Sequence, residues 1–156
     1  MANKLLAPVY QDVYGEQFAS GDFSKRMKMQ KLIYLLQEAG ISIGDYNFHW
    51  YEHGPYSQQL QNDILKITDC DNHSISYSES ARITISRLKH ILDSNPLCDN
   101  AIWIDCLSSL QYLKNYVCSY NASDEKIVEK LQERKPYLDN KSVNMLALSE
   151  LELLYN

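Results

Sequence analysis

The chain has 156 residues, 45% of them hydrophobic and 22% charged, with a formal net charge of −5. That length suits one domain spanning residues 1–156, which buries about 70% of the surface its unfolded form exposes, so neither a disulfide nor a metal is needed to fold it. The acidic balance opposes general nucleic-acid binding, which rests on a basic field against phosphates. A charged-then-apolar leader and apolar runs approaching ~18 residues are both absent, so a cytoplasmic protein without a membrane span is expected.

Leu5, Leu6, Val9, Val13 and Phe18 form a stripe that predicts a helix over 5–19, with Pro8 tolerated in its first turn. Gly21 and Asp22 break to a second helix, 24–39, in which Met29, Leu32, Ile33, Leu36 and Ala39 recur at steps of three and four. Met27, Tyr34 and Leu35 widen its apolar arc, so burial on more than one side is expected. Ser24 or Asp22 serves as N-cap, and Gly40 stands where a left-handed C-terminal cap belongs. Lys25, Arg26, Lys28 and Lys31 crowd the end of the helix that its dipole reserves for acidic groups. Either acidic side chains elsewhere neutralise them, the reading preferred in an acidic protein, or they face an anionic partner.

Residues 46–51 alternate, with Tyr46, Phe48 and Trp50 on one face and Asn47, His49 and Tyr51 on the other, which predicts an aromatic strand. The first three are assigned to core packing. In the run His53-Gly54-Pro55-Tyr56-Ser57, Pro55 holds Gly54 out of the helical region and Ser57 caps a new helix reaching about Thr68. Leu60, Ile64, Leu65 and Ile67 give that helix an apolar side; Gln58, Gln59, Gln61 and Asn62 give it an amide-rich one.

Residues 70–80 are polar; Ile75 and Tyr77 alternate with Ser, so a short strand pairing with 46–51 competes with a plain loop. Helices are predicted over 80–94, with Ser78 or Ser80 as cap, and over 100–120, the longest, along which Trp103, Leu107, Leu110, Leu113 and Val117 line one side. Ser123 caps the next, with Ile127, Val128 and Leu131 inward and Pro136 as its stop; a last helix runs over 141–154. The fold expected is therefore mostly α, six to seven helices with a small β-strand or hairpin element, and with an order along the chain compatible with a winged-helix-like core.

The residues Lys31, Leu32, Tyr34 and Leu35, then Tyr46, Phe48, Trp50 and Tyr51, then Gly54, Pro55, Tyr56, Ser57, Leu60 and Asp63 follow a pattern of K-L-x-Y-L helix, aromatic strand and G-P-Y turn. In this pattern the chain resembles the YwgA-like family and, more distantly, the Panacea group of antitoxin-type domains. A weaker match covers Trp103 to Leu113 and Lys135-Pro136. The resemblance implies a mostly helical fold with no known catalytic residues and, from the Panacea side, a partner-binding role in neutralising toxins.

The four cysteines, Cys70, Cys98, Cys106 and Cys118, form no C-x-x-C pair and read as reduced core thiols. No phosphate-binding glycine loop, G-x-S-x-G or H-E-x-x-H occurs. His49 and His53 straddle a strand and a turn without a third ligand, and nothing fixes a nucleophile beside His53 and Asp63, so no catalytic residue, metal or cofactor is expected. The first expectation for function is a non-enzymatic protein-interaction domain, antitoxin-like or regulatory. Its recognition surface is assigned to His49, Tyr51, His53, Gly54, Pro55, Tyr56, Gln58 and Gln59, and its partner is another protein. The alternative is a winged-helix-like DNA binder using Lys25, Arg26, Lys28, Gln58, Gln61 and Asn62, since amide side chains pair with adenine.

Overall fold

A computed structural model describes residues 3–52, 54–71 and 73–155. Among them the order is α1 (Leu6–Tyr14), α2 (Phe23–Glu38), β1 (His49–Tyr51), β2 (Gly54–Tyr56), α3 (Gln58–Ile64), a 3-10 turn (Asp69–Asp71), α4 (Glu79–Asp93), α5 (Asn100–Tyr112), a π-turn (Leu113–Val117), α6 (Asp124–Arg134) and α7 (Lys141–Tyr155). Seven helices and one antiparallel hairpin match the mostly helical fold with a small β element. Along the described helices no stretch is long and apolar enough to cross a membrane.

The core is organised around two helices. Every residue from Met29 to Leu36 of α2 is buried, polar Gln30 and Lys31 included. In α5 Trp103, Ile104 and the whole run Cys106 to Gln111 are buried. The two helices lie against each other; α5 also packs on α7, α4 on α1 and α7, and α3 on α2. A helix buried all round needs internal partners for its polar atoms. Trp103 finds one by donating its indole N–H to the Ile91 carbonyl at 3.1 Å.

Local signals set most boundaries. The Asp22 side chain caps α2 through the Lys25 amide, and Ser57, Ser78 and Ser123 cap α3, α4 and α6 in the same way. Gly40, at φ +87°, carries the chain out of α2, with the Ile41 amide closing back on the Leu36 carbonyl at 3.0 Å. The cap is Asp22 rather than Ser24.

Several expectations need correction. The first helix stops at Tyr14, because Gly15 enters the left-handed region at φ +69°; Phe18 is buried from beyond it. The helix after Ser57 ends at Ile64 instead of reaching Thr68, and a 3-10 turn follows. The helix from Asn100 ends at Tyr112, where a wide turn closes with the Cys118 amide on the Leu113 carbonyl, so α2 with 16 residues is the longest. Of the two readings of residues 75–77 the plain loop is the one adopted: Tyr77 donates its hydroxyl to the Asp12 carboxylate on α1. Among the described residues, then, no wing follows α3. Only Cys106 is a core thiol, Cys118 being half-buried and Cys70 and Cys98 exposed.

The strand over 46–51 shrinks to His49–Tyr51 for a reason visible in the hydrogen bonds. Gln37 clasps the backbone of Tyr46 from both sides, accepting from its amide at 3.0 Å and donating to its carbonyl at 2.7 Å. Gln59 accepts from the Asn47 amide at 3.2 Å. Side-chain amides thus occupy backbone groups that a neighbouring strand would have paired. Tyr46 is core as expected, and Phe48 and Trp50 are half-buried against it, on the rings of Tyr34 and Tyr112.

Candidate functional site

The segment from Tyr46 to Ser57 is held at both ends by α2. Gln37 fixes Tyr46; two helical turns earlier, Gln30 treats Ser57 alike, accepting from its amide at 3.0 Å and donating to its carbonyl at 2.9 Å. Between these clasps the hairpin pairs His49 with Tyr56, Trp50 with Pro55 and Tyr51 with Gly54. Strand β2 packs into contact with both α2 and α5.

Beneath β2 lies a buried ionic cluster. Lys135 is ion-paired with Asp105, which also accepts from the Ser109 hydroxyl at 3.2 Å and from the Tyr137 hydroxyl at 2.6 Å. Lys31 is 3% exposed. Burial pushes its ammonium down to about 8, with the Asp105 charge resisting and the Lys135 charge adding to the effect. Burial also lowers Lys135, against the pull of Asp105. Gly54 is pressed onto this cluster: a Cβ there would stand 2.9 Å from Lys135 Nζ and from Ser109 Oγ, and its φ of +89° belongs to the left-handed region. Lys135 Nζ and the Arg134 guanidinium also lie 5.4 and 5.2 Å from the centre of the Trp50 ring.

The outer face is different in character. Tyr51, 60% exposed, stacks on Tyr56 with ring centres 5.4 Å apart and planes 26° from parallel. The Tyr56 hydroxyl reaches Gln58 Oε1 at 3.4 Å, and Gln58 donates to Asn62 at 3.0 Å. Burial, then the neighbouring Tyr51, raises the Tyr56 phenol above its ordinary value. His49, Gln58 and Gln59 are exposed.

Of the residues expected to form the recognition surface, Tyr51, Tyr56 and Gln58 come together, and His49 and Gln59 stand exposed beside them on β1 and α3. Gly54 and Pro55 are buried, so they shape the turn and present no side chain to a partner. His53 lies outside the described residues. Among those described, no group of three or more His, Cys, Asp or Glu side chains could hold a metal ion. Asp63, considered beside His53, accepts from the Tyr46 hydroxyl at 2.7 Å.

The basic residues at the start of α2 turn to the chain's own acceptors. Lys28 pairs with Glu16 at 2.5 Å and lies over the Tyr14 ring; Lys25 donates to the Gln17 carbonyl and Arg26 to that of Ser20, both at 2.8 Å. Burial would raise the Glu16 carboxyl, but hydrogen bonds from Lys28 and Tyr10 outweigh it and hold the pKa down. Internal neutralisation is thus the arrangement adopted. The amide face of α3 is likewise partly used, Gln58 on Asn62 and Gln61 on Gln30.

Sequence reasoning missed the seat itself: Asp105, Ser109, Lys135 and Tyr137. Its one signal was a set of polar residues (Asp105, Ser108, Ser109, Gln111) inside a helix otherwise apolar enough to be core. Compared with protein-family models, with curated proteins and with solved structures, the chain has no match.

Proposed function

We propose that this chain is a non-catalytic protein-interaction domain, regulatory in the antitoxin-like sense of the YwgA-like and Panacea resemblance, whose recognition surface is the outer face of the hairpin and the start of α3. The observation that carries the reading is the stack of exposed Tyr51 on half-buried Tyr56, on a hairpin clamped at both ends. Aromatic side chains dominate binding energy at protein interfaces, and a surface already rigid loses little entropy on association. His49, Gln58 and Gln59 supply polar contacts around the stack, and Gly54 with Pro55 sets its geometry.

The test is the double variant Tyr51→Ala, Tyr56→Ala, expressed in the source cell and affinity-purified beside the parent chain. The parent is expected to bring down one stoichiometric protein, and the variant to lose it while its circular dichroism stays unchanged. Equal recovery of that protein by a folded variant overturns the proposal.

A further inference from the structure

A second feature lies apart from the hairpin, in a cleft of about 440 Å³ between the loop that leaves α2 and the strap that enters α4. Its volume falls in the range of small-molecule sites, roughly 300–1,000 Å³. Leu5, Val9, Ile41, Ile43, Ile75 and Ile85 form an aliphatic lining drawn from α1, α4, the loop and the strap. Hydroxyls of Ser42, Ser76, Ser78, Ser80 and Thr84 stand among them, and no charged side chain lines the cleft among the described residues.

The hydroxyls are not equivalent. Ser78 caps α4, Ser80 lies 3.4 Å from it, and Thr84 donates back to the Ser80 carbonyl. Ser42 and Ser76, one on each lip of the cleft, are exposed and have no protein partner among the described residues. The strap is tied down at Tyr77, whose hydroxyl is spent on Asp12 of α1. Aliphatic walls favour an apolar body. The two exposed hydroxyls can each donate to and accept from a polar head at the mouth of the cleft, and a lining without charged side chains offers an ionic head no counter-charge.

We infer that this cleft binds a neutral amphiphile, an aliphatic chain bearing a hydroxyl or carbonyl head that meets Ser42 and Ser76. The site is independent of the hairpin surface and stands whether or not the protein-interaction reading does.

The experiment uses the full chain and the neutral fluorophore N-phenyl-1-naphthylamine. Saturable one-to-one binding is expected, with displacement by 1-decanol at a concentration at least tenfold below that needed for decanoate or decyltrimethylammonium. Decanol should shift backbone amide resonances chiefly at Ser42, Ser76 and Ala81. Ala81→Phe, which fills the cleft from α4, should weaken both ligands at least tenfold. If that variant does not fold, the head-group series and the shift map of the parent chain decide. Absence of saturable binding, equal displacement by the charged chains, or shifts centred elsewhere overturns the inference.

Discussion

Gly54 carries two demands at once. Its φ of +89° is strained for any L side chain, and a methyl group would press on Lys135 and Ser109. Lys135 Nζ ends a flexible side chain and can give way, whereas the short Ser109 side chain has little room to move and the backbone strain remains. Gly54→Ala is therefore expected to cost about 1–3 kcal/mol, read as a lower urea midpoint at unchanged slope. The Tyr51 and Tyr56 side chains show the opposite pattern, Tyr51 exposed and Tyr56 half-buried, stacked outside the core cluster. Their loss should leave the urea midpoint nearly unmoved, which makes the double variant a clean probe of binding. Ser57 was legible as a cap because its partner, the Leu60 amide, is three residues away. Lys135 was not, since nothing near it in the chain announces Asp105.

At the scale of elements, α2 is both core and clamp. Its hydrophobic spacing predicted the first role. The second rests on Gln30 and Gln37, which read as ordinary polar positions but close four backbone hydrogen bonds on the segment 46–57. Gln37→Met keeps the volume near constant, leaves the Tyr46 carbonyl without its donor and leaves the Tyr46 amide only the Gly44 carbonyl at 3.0 Å. It should destabilise by about 1–3 kcal/mol and raise the hydrogen-exchange rate at the Tyr46 amide before that of α5 amides. An unchanged Tyr46 exchange rate would show that the clasp does not hold the segment. The same bonds explain why alternation over 46–51 overstated the strand: period two reported which faces the side chains take, and the backbone partners turned out to be glutamines.

For the molecule as a whole, the buried lysines set a pH dependence. Folded Lys31 titrates at about 8, below its ordinary 10.5, so between those values the unfolded chain holds a proton that the folded chain has released. Stability contributed by this group therefore rises with pH across that window. Relative to Lys31→Met, the parent chain should gain on the order of 1 kcal/mol between pH 8 and pH 9, measured by urea unfolding of both. Cys106, whose thiol burial raises from 9.0 to about 12, acts in the other direction above its unfolded value, as do the buried phenols of Tyr14 and Tyr34. Those thiol and phenol contributions are common to both chains, so the difference reads Lys31 together with its coupling to Lys135. A flat difference would mean that Lys31 is charged in the fold at little cost.

The sequence by itself determined that the helices exist, where most of them start and which faces they bury. Those follow from contacts within a few residues: apolar spacing along α2 and α4, Ser57 and Ser123 at two starts, Gly40 at an end, and for α2 and α4 a pair of candidate caps each, from which the fold takes Asp22 and Ser78. It also placed Tyr51 and Tyr56 on exposed or half-exposed positions of a turn built by Gly54 and Pro55. Only the tertiary structure decided what that turn rests on. Lys31, Asp105, Ser109 and Lys135 meet from α2, α5 and the end of α6, and a cluster joined across so much chain leaves no periodic trace in any one segment. Buried charges must find partners wherever the fold brings them, so their pairing is a property of packing rather than of local sequence.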